Sequence, residues 1–189
     1  MRYFSLGIAF CCLVLAGCRN VEEKKTSGIP PAIEHVSKVE KSQTPYYYGL
    51  IEEYQTTLQE DPNNLAALIG LANAYADSGA WGEAITQYER ALKLDPQNAD
   101  IHTDMGTAYR NIGYPDRALA EYRAALTYEP GHLNARYCLG LLYGFNLHNY
   151  AAAIKVWEDL LRIAPSHPQA AFMKTNIATF REALKKGHE

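Results

Sequence analysis

The chain has 189 residues and four cysteines, and no two cysteines form a Cys-x-x-Cys pair. Cys11, Cys12 and Cys18 all lie at the very start, which leaves Cys138 alone in everything that follows. A lone thiol closes no intramolecular disulfide and builds no zinc or redox site. Set between Tyr137 and Leu139 in an apolar stretch, Cys138 is expected to be buried and inert. The histidines offer no metal site either: His102, His132, His148 and His167 are scattered, with no His-Glu-x-x-His and no paired ligand spacing. Gly-x-Ser-x-Gly, a phosphate loop and Cys-x-x-Cys-His are equally missing. The carboxylates Glu52, Glu53, Glu60 and Asp61 read as the solvated face and end of a helix. The chain is therefore expected not to be an enzyme, with no metal, cofactor or small-molecule substrate. A net charge of −3, with no basic cluster outside the N-terminal segment, argues against nucleic acid as a partner.

What is present begins at the first residue. Met1-Arg2-Tyr3 is a short, singly positive start, and Phe4 to Leu15 is an almost unbroken apolar run. That run is about a dozen residues, short of the roughly 20 that cross a bilayer and the length of a signal-peptide core. It ends in Leu15-Ala16-Gly17-Cys18, which resembles the bacterial lipobox. The resemblance implies a signal peptide over 1–17 and a diacylglycerol on the sulfur of Cys18, hence a membrane partner through the lipid anchor. Small residues before the cysteine let the backbone enter a peptidase cleft, and the thiol is the nucleophile that takes the lipid. Arg19 follows directly, where an aspartate would signal retention in the inner membrane, so the outer membrane facing the periplasm is favoured. Residues 18–45 are charged, broken by Pro30-Pro31 and poor in aromatics up to Tyr46, which reads as a flexible tether. About 27 residues of random coil would hold a folded body roughly 30 Å from the anchor.

A repeat organises the rest. Asp61-Pro62, Asp95-Pro96, Glu129-Pro130 and Ala164-Pro165 recur at spacings of 34, 34 and 35 residues. Between them lie Leu68, Leu71-Ala72, Tyr75, Ala84, Tyr88 and Ala91, then His102, Met105-Gly106, Tyr109, Ala118, Tyr122 and Ala125. A third set follows in Arg136, Leu139-Gly140, Tyr143, Ala153, Trp157 and Leu160. Small residues mid-helix and at the start of the next helix let two antiparallel helices approach, and the aromatics fill the space where they diverge. Each proline stops one helix without breaking the next. Gly79 and Gly113 sit between the helices of a pair as C-terminal caps. In the third unit that glycine is missing and Phe145 to Tyr150 is one residue longer, so a different turn is expected.

This pattern resembles the tetratricopeptide repeat (TPR) over roughly residues 46–186. The resemblance implies an all-α, right-handed TPR solenoid over 46–189. Its parts are a half-repeat at 46–62, repeats at 65–98, 99–132 and 133–167, and a capping helix at 168–186. The cap carries one apolar stripe, Ala170, Met173, Ile177, Phe180 and Leu184.

In such an array the first helix of each pair lines a concave face. Helical phase puts Ile69, Asn73 and Asp77 there from the first repeat, Thr103, Thr107, Arg110 and Asn111 from the second, and Tyr137, Leu141 and Phe145 from the third. The groove would run from polar to apolar and aromatic, and would suit a protein or peptide partner with a few apolar anchors. Tyr137 and Phe145 packing on the cap instead is the alternative. The carboxylate clamp of chaperone-binding repeats is absent: Asn73 matches in kind, but Ile69, Asp104, Asn134 and Cys138 hold the other places. The expected function is a membrane-anchored interaction adaptor or scaffold in the bacterial envelope, serving a pilus, secretion or cell-wall machine. A self-associating structural lipoprotein, or an envelope enzyme, is the alternative.

Overall fold

The computed structural model describes residues 45–186. The signal peptide expected at 1–17, the lipidation site Cys18 and the tether as far as residue 44 lie outside the described residues. Within them eight α-helices follow one another: α1 (Pro45–Glu60), α2 (Leu65–Asp77), α3 (Trp81–Leu94), α4 (Ala99–Asn111), α5 (Pro115–Tyr128), α6 (Leu133–Leu141), α7 (Tyr150–Ile163) and α8 (Ala170–Lys186). A π-helical turn, Leu142–Asn146, extends α6. No strand occurs among the described residues.

Helix starts repeat in register. The side chains of Asn64, Asn98 and Asn149 accept the backbone N–H three residues on, at 3.0, 3.1 and 3.1 Å. At the place of Asn64 and Asn98, α6 carries His132, whose Nδ1 accepts from Ala135 N–H at 3.0 Å. Each such cap contributes roughly 1 kcal/mol. Helix ends repeat too. Gly79 and Gly113 adopt φ of 83° and 82°, and Ala80 and Tyr114 N–H reach back to the Tyr75 and Tyr109 carbonyls at 2.8 and 2.9 Å. This is the glycine-capped turn expected of both pairs.

The third pair differs as its extra residue requires. Asn149 N–H still finds the equivalent carbonyl, that of Tyr143, at 2.8 Å, but one more residue lies between them. The excess is wound into the helix: Leu147 N–H bonds the Leu142 carbonyl at 3.0 Å, a five-residue step. His148, at φ 50°, takes the left-handed position that glycine holds in the other two pairs.

The core follows the small-plus-aromatic code. Ala72, Ala84, Ala118 and Ala153 are fully buried, as are Tyr122 and Trp157, with Tyr88 close behind. The rings lie over the mid-helix glycines themselves. A Cβ on Gly106 would meet the Tyr122 ring at 2.8 Å, and one on Gly140 would clash still harder with the Trp157 indole. A second tyrosine ladder ties each pair to the one before it. Gln55 Nε2 donates to the Tyr75 hydroxyl at 2.9 Å, the Tyr109 hydroxyl to Glu89 at 3.4 Å, and Arg123 Nη2 to the Tyr143 hydroxyl at 3.1 Å. On the cap, α8 buries Met173, Ile177 and Phe180 against α7, while Ala170 and Leu184 stay half-buried.

Candidate functional site on the first-helix face

The helices α2, α4 and α6 present side chains in matching register: Ile69, Thr103 and Tyr137 in one row, Asn73, Thr107 and Leu141 in the next, then Asp77, Asn111 and Phe145. Asn73, Asp77, Asn111 and Phe145 are exposed, and Ile69, Thr107, Arg110, Tyr137 and Leu141 are half-buried.

Thr103 departs from expectation: it is fully buried, its hydroxyl donating to the Ala99 carbonyl at 2.7 Å. First helices pack on both sides of α4, α2 on one and α6 on the other. The seam closes over a side chain as short as threonine, whereas the larger Ile69 and Tyr137 of the same row stay half-buried. Thr103 therefore lines no groove.

The second-helix aromatics reach through to this face. The Tyr88 hydroxyl donates to Asn73 Oδ1 at 2.6 Å, and the Tyr122 hydroxyl lies 3.1 Å from Thr107 Oγ1. In the third repeat tryptophan replaces tyrosine and leucine replaces the polar partner. Trp157 Nε1–H instead donates to the Tyr137 carbonyl at 3.1 Å. Polar tips meet polar residues in the first two repeats, and an apolar edge meets Leu141 in the third.

Charge is divided across the face. Asp77 and Asp104 approach the Tyr88 hydroxyl, and burial with these two carboxylates pushes that phenol well up. Asp104 itself is raised to about 6, first by burial and then by repulsion from Asp100, which His132 partly offsets, and from Asp77. His132 Nε2–H donates to Asp100 Oδ1 at 2.8 Å, because its Nδ1 is already an acceptor at the helix cap. Arg110 lies on the other side, beside the Tyr122 hydroxyl, Tyr137 and Cys138, its Nε buried without a hydrogen-bond partner. Cys138 is buried, and burial pushes its thiol up. His102 bridges Glu121, 2.7 Å away, and the Pro96 carbonyl at 3.1 Å, and stacks on Tyr128.

Aromatic rings form the far end. The Phe145 ring centroid is 5.5 Å from Phe180, 6.2 Å from Phe172 and 6.4 Å from Trp157. Tyr137 stacks on Trp157 at 6.3 Å and meets His167 and Phe172 at 5.7 and 6.4 Å. Tyr137 and Phe145 thus do contact the cap, yet the assembly stays open: Phe145 is 45% and Phe172 42% exposed. The π turn brings Phe180 close, since a Cβ on Gly144 would meet that ring at 2.6 Å. Sequence reasoning missed Phe172, although a large ring just off the Met173–Ile177–Phe180 stripe was a signal. It also passed over Asp104 as a binding residue. Among the described residues no group of three metal-ligating side chains occurs, and no helix is long and apolar enough to cross a membrane.

Two family profiles match this region: TPR repeat over residues 72–113 and tetratricopeptide repeat over 103–143. Neither extends beyond the start of the π turn. No curated protein sequence matches significantly. Among solved structures, the MamA protein is similar at 26% identity over 77% of this chain and 81% of its own, with a TM-score of 0.62. A tetratricopeptide repeat protein from Parabacteroides merdae is 26% identical over 72% of this chain and 54% of its own, with a TM-score of 0.63. The first TPR domain of Spaghetti (RPAP3), bound to an HSP90 peptide, is 23% identical over 66% of this chain and 96% of its own, with a TM-score of 0.59. Helices α1 to α8 are therefore a tetratricopeptide-repeat solenoid.

Proposed function

We propose that this protein is a membrane-anchored interaction adaptor of the bacterial envelope. Its repeats hold a peptide segment of a partner on the α2–α4–α6 face, and Cys18 carries the lipid. One observation carries the binding half: the first helices present Asn73, Asp77 and Phe145 at the surface, with Tyr137 and Leu141 half-buried beside them. Solenoids commonly use such extended faces for binding. The Spaghetti domain supports only the point that this fold admits a peptide. The lipid half rests on Leu15-Ala16-Gly17-Cys18 after a short apolar run. An outer-membrane position rests on Arg19, and service to a pilus, secretion or cell-wall machine fits a tethered interaction module.

Both halves are testable in the source cell envelope. Cys18→Ala should abolish labelling by a fatty-acid probe and release the protein from membranes; continued tight association would sink the anchor. Crosslinking through the face should capture a defined partner in wild type and lose it in Tyr137→Ala and Leu141→Asp. Unchanged capture in both variants would refute the face as the binding site.

A further inference from the structure

Resting on that reading, we infer that the segment bound on this face is a basic one: a lysine or arginine seated against Asp104, with a large apolar side chain about three to six residues away in the Tyr137–Phe145–Phe172 cleft. Two features of different chemistry point to the same occupant. The first is charge. Asp77, Asp100 and Asp104 come from two neighbouring helices onto one part of the face. Among the described residues no lysine or arginine pairs with any of them. The groups facing Asp104 are Asp77 from α2, Tyr88 from α3, Asp100 on its own helix, and His132 and Cys138 from the α6 side. Only His132 can offset the repulsion, and its ring is already committed to Asp100 and to the Ala135 amide. A half-buried carboxylate without a cation is a costly feature to keep in a fold. A partner's ammonium or guanidinium supplies the missing charge.

The second feature is the cleft. Phe145 and Phe172 leave nearly half of their surfaces open although the Phe145 ring packs on Trp157 and Phe180 and the Phe172 ring on Trp157 and Phe145. Both rings are already packed on one face, so an apolar side chain laid between them and Tyr137 costs less ordering than free rings would. The spacing follows from the fold. Adjacent packed helices stand about 8–10 Å apart, so a cleft one to two rows beyond Asp104 lies at about 10–20 Å. An extended chain covers that in about three to six residues at roughly 3.3 Å each. Arg110 lies between the two ends, so the intervening residues should not be basic.

The test uses the full-length protein in detergent micelles and a phage-displayed library of random dodecapeptides selected at pH 7.5. The selected peptides should share Lys or Arg at this spacing from Phe, Trp, Tyr, Leu or Met. The strongest, made synthetically, should lose at least about tenfold in affinity on Asp104→Asn and on Phe172→Ala. Phe172 is exposed and Asp104 half-buried, and unchanged helical circular dichroism checks the fold. Wild-type affinity should fall between pH 7 and 5 as the carboxylate takes a proton, and Asp104→Asn should flatten that profile. Peptides enriched in acidic residues, or bound equally by Asp104→Asn, overturn the inference. Leu141→Asp separates the two levels. If it abolishes binding while Asp104→Asn does not, the peptide-binding face stands and its basic ligand falls. If no peptide is selected, or Leu141→Asp binds as wild type does, the face itself is not the site.

Discussion

The second and third repeats are built from the same helix pair, and one residue separates them. In the second, α4 is capped through Gly113, the turn is tight, and the face is polar: Asn111, and Thr107 with the buried Tyr122 hydroxyl beneath it. In the third, the added residue goes into a π turn, His148 stands in for glycine, and the face is Leu141 and Phe145 over the buried Trp157. The insertion did not lengthen the loop. Asn149 must still reach the Tyr143 carbonyl to close the turn, so the helix absorbs the excess and delivers Phe145 to the cap. A backbone irregularity here changes the chemistry of a surface.

The largest test of this contrast is Trp157→Ala. It removes the buried ring that closes the third repeat and also seats Phe145, Phe172 and Phe180. A loss of about 3–5 kcal/mol is expected in denaturant unfolding. Tyr122→Phe, which deletes only the hydroxyl beside Thr107, should cost about 1 kcal/mol. Comparable losses would mean that the two rings are not playing these different parts.

Next comes Asp104, which belongs to the polar half. Its value in the fold, about 6, lies above the ordinary 3.8. Its contribution to stability is therefore fully present below about pH 4 and lost as the pH rises through about 6. The displacement is worth at most about 3 kcal/mol. Asp104→Asn should be more stable than wild type above pH 6, with the gap closing towards pH 4. Chemical denaturation across that range reads it directly, and parallel curves would refute the assignment.

The smallest effects lie at the two turns. Gly113→Ala forces a side chain into φ 82° and should cost about 1 kcal/mol, whereas His148→Gly relieves the strained equivalent position and should stabilise by up to about 1 kcal/mol. Shifts of the same sign in thermal melts would show that the turns are not counterparts.

These differences mark where sequence reasoning reached. The repeats were plain because proline, small and aromatic positions recur together, and each has a local physical cause. The lengthened third turn was visible as a count, but whether a loop or the helix took up the extra residue depends on tertiary closure. Thr103 was misplaced because helical phase says which way a side chain points and not whether neighbours on both flanks will cover it. Asp104 stayed hidden for the same reason: Asp100 lies one turn back on the same helix, but the burial of Asp104 and its repulsion by Asp77 arise only when α2 and α4 are side by side. His132 could have been found, since it stands in register with the capping Asn64 and Asn98 and an imidazole nitrogen does the same work.

The tyrosine ladder also sets an order of opening. Gln55, Glu89 and Arg123 each hold a tyrosine hydroxyl of the following pair, and Glu158 is the next in that register. Opposite it α8 has Ala178 where a tyrosine would stand, and Glu158 pairs instead with Arg181, both exposed. An ion pair in water holds weakly and is screened by salt. Amide protons of α8 should therefore exchange ahead of those in α2 to α7, faster still in high salt, so that the aromatic cleft opens from the cap side while the acidic part of the face stays closed.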